Sequence, residues 1–294
     1  MRDGAFHEVN QYPDPAFPVA LYRVRQNGMS PAGRGLGDYH WHEELQFTRV
    51  TCGSAVVQVG AETYPLAQGE ALCIGSGCIH AVTRLSPGGE YVSLNFPPRL
   101  LGFFPGSRME QQDVLPYTAP GALTAVVLRG EAAWQRDVLA LLDEVEARFA
   151  VHRVQGQEYA VAVSLVRIWQ LLRGHIAPAA PVPAATRSRQ ERVQVMLLYL
   201  YAHYAQDIRL QDLADCAHLS VGECCRAFQA CLNRSPYQFL KEYRLRRSCE
   251  LLRAGHPVGE TAALCGFHQT SNFIRAFRAV YGCTPLQFQR RGPD

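Results

Sequence analysis

The residues richest in chemistry lie early in the chain, in GDYHWHEELQFTRVTCG, where His40 and His42 stand two apart and Gln46 follows four later. Alternate side chains of a strand share a face, so both imidazoles and the Gln46 amide are expected on one side, with Trp41 packing on the other. Downstream, GEALCIGSGCIHAV brings in His80 after a glycine-rich turn. Three imidazoles, His40, His42 and His80, are able to hold a divalent metal, with Gln46 as a weak fourth ligand. The same side chains are able to line a pocket, bonded to one another, to water or to an effector such as a sugar or small acid. No carboxylate joins them, so His40, His42, Gln46 and His80 are read as effector contacts, and no cofactor is expected. Cys52, Cys73 and Cys78 lie in the same segment and with His80 suggest a zinc or redox site, but their apolar neighbours suit buried packing better. No nucleophile triad, phosphate loop or carboxylate pair points to another chemistry, and no catalytic residue is assigned.

These side chains need a β scaffold. From Phe17 to about Phe96 the runs ALYRVR, LQFTRVTC, SAVVQVG, EALCIG and EYVSLNF, broken by Gly, Pro and Ser, predict short strands of a barrel or sandwich. Trp134, Val138, Leu141, Leu142, Val145 and Phe149 then recur at helical spacing within residues 131–150. Val161, Leu165, Ile168, Trp169 and Leu172 do the same within 156–175. Residues 177–190, APAAPVPAATRSRQ, cannot continue a helix through Pro181 and Pro183 and read as a linker.

Everything beyond reads as helix and contains a repeat. RAFQACLNRSPYQF (226–239) recurs as RAFRAVYGCTPLQF (275–288), an offset of 49. Each copy predicts a short helix, a turn and a second helix. In the first, Ser220 is the expected N-cap, and Cys224, Ala227, Phe228 and Cys231 face inward. In the second, Phe273, Ala276, Phe277 and Val280 are expected inside. The outward residues Ser220, Glu223, Cys225, Arg226 and Gln229 in one copy, and Thr270, Ser271, Asn272, Arg275 and Arg278 in the other, become the candidate DNA contacts. Gly222, on the outer face of the first, offers no side chain to a base and weakens its helix. Between the copies, Ser235-Pro236 starts a helix running to about Ala254, roughly 30 Å long and able to place two helices in successive major grooves.

Charge agrees with this division. Residues 1–186 carry 14 basic against 17 acidic side chains, or −3, whereas 187–294 carry 15 against 9, or +6, where phosphate neutralisation needs it. No apolar run is long enough for a membrane span and no signal peptide is visible, so a cytoplasmic protein with reduced thiols is expected.

On GFHQTSNFIRAFRAVYGCTP (266–285), with Arg244-Leu245 and LSVGECCRAF, the region from about Glu191 to Arg291 resembles the DNA-binding domain of the AraC/XylS family of regulators. The histidine spacing resembles the two cupin motifs, with Gln46 in place of a glutamate and Gly75 in place of a proline. These resemblances imply an α+β multidomain chain: an N-terminal cupin-like β-barrel (about 17–96) plus helices (about 131–175), and a C-terminal all-α domain with two helix-turn-helix units joined by a long helix. Residues 1–176 would be the effector-binding and dimerisation domain, 177–190 the linker and 191–294 the DNA-binding domain. The implied function is a sequence-specific transcription regulator answering to a small molecule. Its expected partners are double-stranded DNA, the effector, a second copy of the chain and RNA polymerase, with no membrane. The alternative is a metal-dependent cupin enzyme, with His40, His42 and His80 as ligands, fused to a DNA-binding domain.

Overall fold

Strand runs with apolar residues on both faces build the N-terminal unit. The computed structural model describes residues 12–25, 28–30, 36–119, 122–150, 156–177 and 184–290. Its strands are β1 (Ala20–Arg25), β2 (Gly28–Ser30), β3 (Leu45–Cys52), β4 (Ser54–Val59), β5 (Glu62–Ala67), β6 (Ala71–Ile74), β7 (His80–Leu85), β8 (Glu90–Phe96) and β9 (Ala125–Leu128). They form a six-stranded sheet, β2-β1-β8-β3-β6-β9, and a three-stranded sheet, β5-β4-β7, all antiparallel.

Alternation along β3 and β8 assigns the two faces of the large sheet. Leu45, Phe47, Leu94 and Phe96 pack into one cluster with Val138, Leu142, Leu165, Ile168 and Trp169 of helices α2 (Ala133–Ala150) and α3 (Gln157–Arg173). Val50, Leu72, Ile74 and Tyr91, on the other face, join Val57, Val59, Leu66 and Val82 of the small sheet. Because both faces are covered, β6 and most of β8 are continuously buried, where a one-sided strand would alternate. The inward set also contains polar residues: Gln46 lies opposite Asn95 and Thr48 opposite Ser93.

Strands β2, β5 and β7 lie outside the runs named from the sequence, and so do the elements between β8 and α2. A 3-10 turn (Pro98–Leu101), a π turn (Glu110–Val114) and the short helix α1 (Leu115–Thr118) occupy the segment before β9. Strand β9, only AVVL, pairs with β6 at the sheet edge. Gly75 explains how the chain reaches that edge. A Cβ there would sit 1.7 Å from Leu123 O, and the Gly75 amide donates to Thr124 O at 3.1 Å. Proline would lose that donor and collide with the passing strand.

The chain divides into compact units at Arg187 and Ser188. This corrects the linker expected over 177–190, because helix α4 (Ala184–His203) begins immediately after Pro183. The prolines stop a helix from running through them, but Ala, Arg and Gln after them start one readily. Residues 178–183 of that linker lie outside the described residues.

The second unit continues with α5 (Leu210–Cys216), α6 (Val221–Leu232), α7 (Pro236–Arg253), α8 (Val258–Leu264), α9 (Thr270–Tyr281) and α10 (Pro285–Arg290). α6 and α9 start 49 residues apart, as the repeat requires, and end at Asn233 and Gly282, both left-handed. Ser235 caps α7 through Gln238 N with Pro236 at its first position. Its 18 residues span about 27 Å at 1.5 Å per residue.

Candidate DNA-binding face and effector site

The polar residues inside the barrel come together through three segments. His40 and His42 do not lie on one regular strand. His40 makes an isolated bridge with His80, with mutual backbone bonds of 3.0 and 2.9 Å, the chain bends at residues 43–44, and β3 begins at Leu45. The convergence expected from strand alternation is therefore produced by pairing across to β7. Ring centroids lie 4.3 Å apart for His40 and His80, 5.1 Å for His42 and His80, and 5.8 Å for His40 and His42. All three rings and Gln46 are buried, and so is Trp41.

Hydrogen bonds fix which face each ring presents. His40 Nδ1 is 2.8 Å from Asp38 O and His80 Nδ1 is 2.8 Å from Cys78 O. A carbonyl only accepts, so Nδ1 is the donor on both rings. His42 Nδ1 lies 3.4 Å from Glu44 Oε2, and Tyr12 donates to the same carboxylate. Gln46 Oε1 is 3.0 Å from His42 Nε2 and 3.2 Å from His80 Nε2, and Gln46 Nε2 donates to Thr48 Oγ1 at 2.8 Å. Burial and the neighbouring His42 push His80 down to about 3, so it is neutral near pH 7.

The thiols do not complete this cluster. Cys73 packs with the helices on the far side of the sheet, Cys52 is exposed, and Cys78 turns its Sγ towards Leu123 O at 3.5 Å. Burial pushes Cys73 above the usual thiol range and Cys78 up to about 12. A separate surface cleft of about 420 Å³ lies between the sheet and α2. Its charges largely satisfy one another, Arg23 pairing with Glu146 and Arg49 with Asp143.

In the second unit the two halves of the repeat expose different surfaces. On α9, Thr270, Ser271, Asn272, Arg275 and Arg278 are all exposed, while Phe273, Ala276 and Phe277 are buried. Arg275 donates to Asn272 Oδ1 at 2.9 Å, which holds the guanidinium beside the amide. Val280, expected inside, is 55 % exposed, because the last core position of α9 falls to Tyr281, packed on Phe277 and Phe288.

On α6, Ser220, Glu223, Arg226 and Gln229 are exposed and Cys225 is half-buried. Ser220 and Glu223 are tied to each other, however. Ser220 Oγ accepts from Glu223 N at 3.3 Å, and Glu223 Oε2 accepts from Ser220 N at 3.0 Å and Oγ at 2.6 Å. This is a capping box, so both side chains hold the helix start and are engaged before any DNA arrives. Gln229 Nε2 likewise donates to Asn233 Oδ1 at 3.0 Å. A Cβ on Gly222 would come within 3.3 Å of an Arg226 terminal nitrogen, so the glycine clears the surface along which that guanidinium lies.

Arg244 on α7, which the resemblance marks but spacing alone does not, ties three segments of the unit together. Its Nε donates to Tyr204 O and a terminal nitrogen to Gln206 O, both at 2.7 Å. Gly266, left-handed in the turn between α8 and α9, leaves room for the same guanidinium; a Cβ there would stand 2.9 Å from Arg244 Cζ. One side chain thus joins the end of α4, the connecting helix and the turn of the second helix-turn-helix.

Comparison with known proteins adds to this geometry. Residues 32–145 match the AraC-like ligand binding domain and residues 213–291 match a helix-turn-helix domain. The HTH-type transcriptional regulator YdeC of Bacillus subtilis, itself uncharacterized, is 27 % identical over 294 residues, covering 98 % of this chain and 97 % of its own. The HTH-type transcriptional regulator GbdR of Pseudomonas aeruginosa is 27 % identical over 144 residues, 48 % of this chain and 39 % of its own. A solved structure of ToxT from Vibrio cholerae covers 94 % of this chain and 98 % of its own at 12 % identity, with a TM-score of 0.45. With a ligand-binding domain over the β unit, a helix-turn-helix domain over the repeat and a full-length regulator of the same extent, the chain belongs to the AraC family of DNA-binding transcription regulators.

Proposed function

We propose that this regulator reads DNA chiefly through the exposed face of α9 and receives its signal at the polar layer inside the barrel. The observation that carries the reading is the sidedness of α9. Hydroxyls, an amide and two guanidiniums occupy one exposed face of a helix whose opposite face is buried aromatic core. Gln229, Arg226 and Cys225 of α6 are the remaining contacts on the first unit, with Ser220 and Glu223 as its scaffold.

His40, His42, Gln46 and His80 are the effector contacts in this reading. The effector shifts the regulator only by binding its DNA-competent and incompetent arrangements with different affinity. The acting form is a homodimer, supported by the exposed Tyr159 and Val163 one turn apart on α3. The protein works in the cytoplasm, where its ten cysteines stay reduced, and RNA polymerase is the further partner. No described helix is long and apolar enough to cross a membrane.

The test is selection of DNA fragments by the purified full chain, followed by titration of the enriched sequence at several salt concentrations. Enrichment of a defined sequence is expected. Arg278→Ala should lower the slope of log affinity against log salt by about one, as loss of one phosphate contact does. Absence of enrichment, or a slope unchanged in that variant and in Arg275→Ala, rejects the α9 face.

A further inference from the structure

The connecting helix α7 serves two cores in turn. Its first half belongs to the first helix-turn-helix: Phe239 packs on Tyr201 and Phe228, both at 5.7 Å between ring centroids, and Tyr243 packs on Tyr201 and Tyr204 at 4.6 and 5.2 Å. Its second half belongs to the second, where Leu245, Cys249 and Leu252 join Phe273 and Phe277. The changeover falls between Tyr243 and Leu245, and the residue there is Arg244. A helix whose two halves are held by different bodies still bends about its middle. A contact off its axis is what removes that freedom.

Arg244 supplies such a contact. Its guanidinium donates to the carbonyls of Tyr204 and Gln206 in the loop between α4 and α5, both at 2.7 Å, and lies against Gly266 in the turn before α9. Loop and turn also meet directly. Gly266 is left-handed, with φ of +74°, and a Cβ on it would stand 2.9 Å from Ala205 O as well as from Arg244 Cζ. Asp207 and His268 face each other across the same junction at 3.8 Å. Forty-nine residues earlier, at the offset of the repeat, the first copy has Val195, which is exposed, and Ala217. The first helix-turn-helix forms without such a clamp. The clamp is therefore no part of building the motif: it joins one copy to the other.

We propose that Arg244, seated against Gly266, is the positioning residue that braces the two helix-turn-helix units at one fixed angle, and that this angle lets α6 reach the phosphates beside the groove that α9 reads. The inference rests on the reading of α9 as the base-contacting helix and of α6 as its helper, and names what makes them act together. With the brace in place, docking α9 delivers Arg226 to the neighbouring backbone at little further cost of ordering. Without it α6 is only tethered, and its contact loses effective concentration.

The experiment is a pair of double-mutant cycles on the full-length protein with the duplex that selection enriches, read by fluorescence anisotropy and by hydroxyl-radical footprints of the same complexes. Wild type should protect two backbone patches about one helical turn apart. Arg244→Gln should lower affinity about 10-fold, keep the patch at α9 and the base preference, and lose the second patch. Arg226→Ala, which weakens the wild type, should cost nothing more in Arg244→Gln, whereas Arg275→Ala should cost the same factor in both backgrounds. Gly266→Ala displaces the guanidinium without removing its charge and should repeat the pattern. Arg244→Lys, with one carbonyl in reach, should fall between. A residue that only supports the fold would weaken all binding alike and leave both cycles additive, which would overturn the brace. Two patches kept in Arg244→Gln, or a single patch in wild type, would overturn it as well. If Arg244→Gln loses its native circular dichroism, Arg244→Lys carries the same cycles. Base preference that survives Arg275→Ala would overturn the α9 reading instead, and the cycle with Arg226, measured on total affinity, would still judge the brace.

Discussion

The two helices of the repeat bury matching side chains and differ in how their first turns are held. Phe228 on α6 and Phe277 on α9 are both fully buried, and Ala227 and Ala276 beside them are buried too. At the start of α6, Ser220 and Glu223 form a reciprocal capping box. At the start of α9, Gln269 makes no capping bond with its side chain, and Thr270, Ser271 and Asn272 stand exposed. A side chain that satisfies the backbone of its own helix is engaged before DNA arrives. In the proposed reading the first unit is a scaffold and the second the reader: α9 lacks a side-chain cap worth about 1 kcal/mol, and its Asn272 bonds to the side chains of Gln269 and Arg275 instead.

The strongest way to break this comparison is to remove one arginine from each helix. Arg275→Ala should weaken binding to the selected operator by about 1–3 kcal/mol and relax preference at one base position. Arg226→Ala should cost less and weaken all sequences alike, since that guanidinium lies back along Gly222. Fluorescence anisotropy against operator and scrambled DNA separates the two. Equal losses of specificity would mean that both helices read bases.

Much of this asymmetry is legible in the sequence, because the repeat and the 3.6-residue period are local. Cys224, Ala227 and Phe228 on α6 and Phe273, Ala276 and Phe277 on α9 follow from spacing alone, whereas Cys231 is only half-buried and Leu232 takes its place. Ser220 with Glu223 three residues on is a recognisable cap. Val280 fails because the period does not say where a helix stops: one residue before its left-handed end, the inward position passes to Tyr281. Strand β9 fails because four apolar residues acquire strand character only by pairing with β6. The histidines were identifiable by type and spacing, but not their Nε2 faces, which depend on carbonyls at Asp38 and Cys78 and on the bridge across to His80. Arg244 is placed by carbonyls 40 and 38 residues earlier, contacts that no spacing rule reaches.

The caps can be exchanged. Ser220→Ala should lower the stability of the DNA-binding domain by about 1 kcal/mol, and Gln269→Ser should raise it by a similar amount. Operator affinity should follow stability in neither case: the first variant should bind nearly as tightly as wild type. Chemical denaturation read beside anisotropy tests this, and a Ser220→Ala variant that loses specific binding while keeping its fold would return Ser220 to the DNA contacts.

A smaller change tests the glycine. Gly222→Ala should stabilise α6 by up to about 1 kcal/mol through helix propensity. The added methyl meets the Arg226 guanidinium at 3.3 Å, so that side chain must shift by a few tenths of an ångström. Higher stability with slightly altered affinity for all sequences is expected. A loss of stability would show that the contact between Arg226 and the glycine surface outweighs propensity.

The finest distinction lies in acid. Hydrogen bonds from the Ser220 hydroxyl and backbone hold Glu223 below its usual 4.5. A carboxylate lowered in the folded state contributes fully above the unfolded value, and its contribution fades as pH falls through 4.5 towards the folded value. Hydrogen exchange of the first-turn amides should therefore show α6 losing protection as pH falls below 4.5, after correction for intrinsic rates, while α9, which has no acidic cap, changes little. Glu223→Gln keeps an acceptor for the Ser220 amide but cannot titrate, so the fading should disappear. Parallel loss in both helices, or a pH response that persists in Glu223→Gln, would place the acid sensitivity outside the capping box and remove the difference between the two units at this level.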